Sequence, residues 1–136
     1  LYNEDLETAD PPKEWAEFRV AINSKDAVIF VTPEYNRTIP GGLKNAIDVG
    51  SRPYGSSVWS GKPAAVVSAS TGGIGGVGAN HGLRQSLVFR GMPTLQHEAY
   101  IGGVNKLFDE NGMLDGSTEK FLRKFLTEYE AWVARF

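Results

Sequence analysis

Two short runs, AVIFVT at Ala27–Thr32 and AAVVSA at Ala64–Ala69, decide what this chain can fold into. Neither alternates apolar with polar residues, so neither suits a sheet with one wet face. Strands of this kind are covered on both faces, as in a parallel sheet with helices packed on each side. Helical spacings surround them. Trp15, Phe18 and Ile22 recur behind Asp10-Pro11-Pro12, which reads as an N-cap with proline at N1. Leu43, Ala46 and Ile47 mark one apolar face after Pro40-Gly41-Gly42, and a further helix is expected around Leu83–Phe89, closed by Gly91 and Pro93. TLQHEAY (Thr94–Tyr100) is strand-like but more polar, which places it toward a sheet edge. Asn111-Gly112 and Asp115-Gly116 read as turns. Ser117 is the expected N-cap of a last helix, with Phe121, Phe125, Tyr129, Trp132 and Phe136 on one core-facing stripe. Strand and helix alternate, so the expected fold is an open α/β sheet wound by right-handed crossovers.

Composition narrows the function classes. The 136 residues make one domain, expected to span residues 1–136, with 41% hydrophobic and 22% charged residues. The formal net charge of −2 offers no basic footprint for nucleic acid. No apolar run reaches membrane-spanning length, and nothing at the amino end resembles a signal peptide, so the expectation is a cytoplasmic protein with no membrane partner. The chain has no cysteine, which removes disulfides, thiolate catalysis and iron–sulfur ligation. Redox chemistry would need a bound cofactor.

In open α/β sheets, ligands bind at the carboxyl ends of the strands, in the loops that lead into the helices. Two loops answer to that description, PEYNRTIPGG and STGGIGGVG. In the second, Gly73, Gly75 and Gly78 spell G-x-G-x-x-G, and Glu98 stands twenty residues beyond Gly78, the spacing of a dinucleotide fingerprint with its ribose acid. Against that reading, Gly73 stands four residues past Ala69, too far for the tight turn at a strand end. Five glycines in Gly72–Gly78 also generate the pattern easily. A Walker A loop is excluded, because no Gly-Lys-Ser/Thr closes it. A flexible surface loop is the bland alternative, but glycine costs entropy on ordering, so an ordered loop of this kind points to a ligand lying close to backbone. In the first loop, Pro33 stiffens the strand exit, Tyr35 offers a flat face, and Glu34 and Asn36 add hydrogen-bonding capacity, which suits a planar heteroaromatic ligand. A capped connection with a solvated tyrosine is the alternative there. No side chain stands out as an acid or base, and His81 and His97 read as surface or helix-cap residues. No metal-ligand spacing is present.

The series TPEYNRTIPGGLKNAID, SGKP, a strand, S-x-S-x-G-x-x-GG and LRQSLVFRGMP resembles the NAD(P)H-dependent FMN reductases, a group that includes quinone, chromate and azo-dye reductases. The resemblance runs from Leu1 essentially to the carboxyl end. It implies a flavodoxin-like open parallel sheet in the order 2-1-3-4-5, with FMN at its carboxyl edge and three of the five strands in this chain. The cofactor-binding residues it implies are Pro33, Glu34, Tyr35 and Asn36 along the isoalloxazine, with Ser68, Ala69, Ser70, Thr71 and Gly72 near its pyrimidine end. It implies ping-pong electron transfer from NAD(P)H to a small-molecule acceptor, and a homodimer or homotetramer whose contact face includes Lys44 and Asp48. The chain departs from the family in two places. The G-S-x-R-x-x-S-x-N phosphate loop is not in the sequence, so an amino-terminal segment with two strands is expected to be missing. Gly78 stands where relatives often carry arginine. The rival class is a flavodoxin-like electron carrier or noncatalytic flavin-binding module, which would dock through a strongly charged face.

Overall fold

The computed structural model, which describes residues 1–136, orders the chain as α1 (Glu4–Ala9), α2 (Lys13–Asn23), β1 (Val28–Pro33), α3 (Gly41–Gly50), β2 (Ala64–Ala69), α4 (Val77–Phe89), β3 (Ala99–Ile101), a 3-10 turn (Val104–Lys106) and α5 (Gly116–Val133). The sheet is parallel, in the order β1-β2-β3. Register runs from Val28 opposite Ala64 to Pro33 opposite Ala69, so β1 and β2 end level with one another. Ser68 and Ala69 then pair with Tyr100 and Ile101.

Two apolar layers hold the sheet. On one face Phe30 and Val66 meet Ile47 of α3, Leu83 and Leu87 of α4, and Trp59, with Phe18 and Ile22 of α2 closing the side. On the other, Ala65 and Ala99 meet Phe125 and Tyr129 of α5. The central strand β2 is the best covered, with Ala64, Ala65 and Val66 all fully buried. The β1 run is less symmetric than its composition suggests. Phe30 and Thr32 are buried on the α3–α4 face, whereas Val31 on the opposite face is 70% exposed, because α5 packs over β2 and β3 and does not cover the outer end of β1.

Element boundaries moved where tertiary contacts outweigh local signals. Helix α4 begins at Val77, not near Leu83, because Asn80 gains buried partners that offset its weak helix propensity. TLQHEAY supplies a strand only from Ala99, with Thr94 making an isolated bridge to Ala64. Helix α2 is capped by Pro12 with no side-chain bond, so Asp10 does not act as its N-cap. Asp115-Gly116 is a helix start rather than a turn. The Asp115 carboxylate accepts from the amides of Ser117 and Thr118, which makes Asp115 the cap in place of Ser117. Hydrogen bonds from the Thr118 and Ser117 side chains hold its pKa down at about 2. Of the α5 stripe, Phe125 and Tyr129 reach the core, while Phe121 and Phe136 are exposed and Trp132 is half-buried, its ring N–H bonded to the Pro93 carbonyl.

Trp59 ties these layers together. Its indole is 2% exposed, donates to the Ile47 carbonyl at 2.9 Å, and lies between the rings of Phe18 and Phe30. Trp59→Ala is expected to lower stability by about 3–5 kcal/mol, read from the urea midpoint, and to leave the helix content of the folded state unchanged.

Candidate functional site

The carboxyl ends of β1 and β2 stand side by side, and the loops that leave them form an open shelf. The first loop reverses at Tyr35–Thr38, whose backbones exchange hydrogen bonds at 2.9 and 3.0 Å. Asn36 (φ 50) and Arg37 (φ 67) both occupy the left-handed region, the backbone of a tight hairpin turn. Asparagine tolerates that conformation and arginine less so. The reversal leaves the Tyr35 ring 60% exposed, while Ile39 returns to the core at 8% exposure. Glycines follow at the start of α3, and no atom stands within 4 Å of where a side chain on Gly41 or Gly42 would begin.

The second loop is pinned from beneath, which weighs against the flexible-loop alternative. The Ser68 hydroxyl, fully buried, donates to the Gly75 carbonyl at 2.7 Å. The buried Asn80 amide donates to Ser68 Oγ and to the Ala99 carbonyl, both at 3.2 Å, and Arg84 Nε donates to Asn80 Oδ1 at 2.9 Å. Further along, Ser70 N–H bonds to the Ile101 carbonyl, Gly103 N–H to that of Gly72, and Gly72 N–H to Ser70 Oγ. Gly75 lies against the β3 backbone, and a Cβ there would sit 2.7 Å from the Tyr100 carbonyl carbon. The loop's rim from Thr71 to Ile74 stays exposed.

The structure therefore divides the sequence-derived residues. Tyr35, Asn36 and the exposed Thr71 and Gly72 border the shelf beside the half-buried Ser70, with Pro33 at its base. The Ser68 side chain turns inward as part of the support. Glu34 also turns inward, and its carboxylate accepts the Ala79 amide of α4 at 3.0 Å. Asn80 and Arg84 were missed as site supports. The signal for Asn80 was its position three residues before Leu83 and seven before Leu87, on the buried stripe of α4.

The histidines lie off the shelf. His97 pairs with Glu128 of α5, and His81 Nε2 lies 2.8 Å from the Tyr100 hydroxyl. That hydroxyl donates to Glu98, which also faces Arg84 at 3.7 Å. Burial pulls the Arg84 guanidinium below its ordinary value, against the opposing pull of Glu98 and Tyr100. Glu98 is committed to this cluster rather than to a nucleotide ribose, and α4 starts eight positions beyond the last residue of β2. Both facts oppose the dinucleotide fingerprint.

The donor set suits a flat, polar-edged ring: an exposed phenol, an asparagine, and loop N–H groups with little side chain over them. No group of acidic, histidine or cysteine side chains is arranged to hold a metal ion. No helix is long and apolar enough to cross a membrane. The shelf is not an enclosed cavity. A hollow of about 440 Å³ lies lower down, between α3 and α4, lined by Lys44, Asp48, Arg52 and Phe89.

Comparison with known proteins gives matches over nearly the whole chain. The family model for NADPH-dependent FMN reductases matches residues 1–106. The chain is 61% identical to a quinone reductase of Pseudomonas putida over 134 residues, 98% of this chain and 72% of that protein. It is 41% identical to a 2-hydroxy-1,4-benzoquinone reductase of a Burkholderia species, over 98% of this chain and 73% of that one. The flavoenzyme NAD(P)H:(acceptor) oxidoreductase of Paracoccus denitrificans superposes with a TM-score of 0.90 at 40% identity, covering 98% of this chain and 74% of its own.

Burial, and then the bond to Glu98, push the Tyr100 phenol up to about 12 from an ordinary 10.0. Its folded-state value lies above the unfolded one, so the stability it contributes is complete below pH 10 and is lost as pH rises toward 12. A difference titration of phenolate absorbance between wild type and Tyr100→Phe should show that late midpoint. Glu98→Gln should lower it, since the neighbouring negative charge is gone.

Proposed function

The chain belongs to the NADPH-dependent FMN reductase family, and on that premise we propose how its flavodoxin-like fold works as a reductase. It is an NAD(P)H-dependent oxidoreductase of the quinone reductase kind that uses FMN, which sets aside the electron-carrier alternative. The finer reading is that residues 1–136 belong to one flavodoxin-like domain with the isoalloxazine on the shelf between the two loops. Pro33, Tyr35, Asn36 and the Glu34 backbone form one wall. Ser68, Ala69, Ser70, Thr71 and Gly72 form the other, Ser68 acting through its hold on Gly75.

The observation that carries this reading is the pairing of an exposed Tyr35 ring with an exposed glycine rim at two strand ends that finish level. Bound there, FMN supplies two-electron transfer in a ping-pong sequence, from NAD(P)H to quinone-like, metal-oxyanion or azo acceptors. The protein's own contribution is orientation. Tyr35 would give a flat apolar surface, Asn36 would hydrogen-bond a ring edge, and loop N–H groups not already bonded within the protein, such as those of Thr71 and Gly73, would be free to meet carbonyl oxygens on the ring. Neither histidine borders the shelf, so no side-chain acid or base is assigned.

We place the reductase in the cytoplasm, in line with the lack of cysteines. We assign self-association, as a dimer or tetramer, to the α3–α4 face. That face carries the Lys44–Asp48 pair and exposes Tyr54, Val88 and Phe89. An exposed aromatic patch of this kind is a common centre for protein contacts.

The test is turnover. The natural full chain loaded with FMN should oxidise NAD(P)H when a quinone is added, and bound flavin without turnover would defeat the reading. In apoprotein titrations, Tyr35→Ala and Asn36→Ala should each weaken FMN binding by about fivefold to tenfold, up to roughly 1.4 kcal/mol. His97→Ala should leave binding unchanged, and equal losses in all three would remove the loop assignment.

A further inference from the structure

Glu34 opens the exposed loop, where an acid facing a ligand shelf would ordinarily contact the ligand. Its side chain does otherwise. The carboxylate is 12% exposed, and Oε2 accepts the Ala79 amide at 3.0 Å in the first turn of α4. A carboxylate there is favoured by the charge-assisted bond and by the helix dipole. The Arg37 guanidinium stands 4.0 Å from the other oxygen but is 80% exposed, so it adds little.

Gly78 provides the matching seat. A Cβ on Gly78 would lie 2.7 Å from the Arg37 carbonyl oxygen and 2.9 Å from Glu34 Oε2. The carbonyl belongs to the reversal itself and has no flexible end to move aside. The turn needs such a hold, because Arg37 sits at φ 67 and an L-residue pays for that conformation.

We propose that Glu34 is a positioning residue which, with Gly78, clasps the Tyr35–Thr38 turn to α4. The clasp sets the spacing between the two walls of the shelf, and the Glu34 carboxylate does not touch the flavin. The inference rests on the reading that these two loops hold FMN. It assigns the acid of PEYN to the protein's own backbone. It also explains the glycine at residue 78 as the steric partner of the turn.

Both residues hold the same turn against the start of α4, so their effects should fall well short of additive. The test uses the natural full chain as Glu34→Gln, Glu34→Ala, Gly78→Ala and the double variant Glu34→Ala/Gly78→Ala. FMN affinity is read by titration of apoprotein, and exchange of the Ala79 amide is read before flavin is added. Glu34→Ala and Gly78→Ala should each weaken FMN about tenfold, as expected for one charge-assisted bond, and the double variant should lose about tenfold rather than a hundredfold. Glu34→Gln should stay within about threefold of wild type, because its amide oxygen still accepts from Ala79. The Ala79 amide should exchange faster in Glu34→Ala than in wild type or Glu34→Gln.

Additive losses, a Glu34→Ala protein that binds FMN like wild type, or a Glu34→Gln protein as weak as Glu34→Ala would overturn the proposal. The last would mean that the charge itself meets the ligand. A wild type that took up no flavin would defeat the shelf reading, and the Ala79 amide would still report on the clasp. Unchanged exchange in Glu34→Ala would then overturn the clasp as well.

Discussion

The hydrogen bond between Asn80 and Ser68 is the constraint on which the working end of this molecule depends. Both residues are fully buried, and their polar atoms have no route to water. An unmade bond at such a place costs about 1–3 kcal/mol, so the two side chains must find each other whenever the chain folds. Once they do, the consequences spread. Ser68 fixes the Gly75 carbonyl, Asn80 holds the Ala99 carbonyl of β3, and Arg84 is drawn in to carry the Leu95 and His97 carbonyls. One network therefore sets the glycine loop, the start of α4 and the irregular approach to β3. No buried side-chain polar atom is left without a partner, so the network is fully satisfied.

That dependence explains which parts of the fold could be read from the residues. The β2 run is apolar throughout because both of its faces are covered, and it forms where it was expected. The PGG start of α3 was equally plain, since its helix needs no partner beyond its own apolar face. The first turns of α4 were not legible, because Asn80, His81 and Gly82 are weak helix formers and their compensation comes from β2 and β3, distant in sequence. TLQHEAY misled for the opposite reason. Its residues suit a strand, but the Leu95 and His97 carbonyls are taken by Arg84, which leaves an isolated bridge at Thr94 and a strand only at Ala99–Ile101. The α5 stripe was right in period and too generous in extent, since the sheet is wide enough to cover Phe125 and Tyr129 but not Phe121.

The site shows the same division. Local sequence pointed to PEYN and the glycine loop, because strand ends, an aromatic face and crowded glycines are local features. What each glycine does is not local. Gly75 allows the loop to lie on the β3 backbone, and Gly78 receives the Arg37 carbonyl from another loop. Two unrelated close approaches, falling by coincidence at dinucleotide spacing with the open Gly73, produced the fingerprint. Sequence spacing cannot separate a glycine required by a ligand from one required by a neighbouring backbone.

The two walls of the shelf are also held differently, and this bears on the chemistry. The glycine wall is fixed by buried side chains and by backbone bonds to the segment after β3, so little freedom would remain to be lost on binding the proposed ring. The PEYN wall is held at its two ends, by Glu34 on α4 and by Ile39 in the core, and is exposed between them. On the proposed ping-pong reading, such an asymmetry would let the glycine wall hold the flavin in one position through both half-reactions, while the exposed Tyr35 on its fixed turn would face each partner in turn. The left-handed Arg37 fits the same division, since its strain is borne by a turn whose geometry is fixed while its side chain remains in solvent.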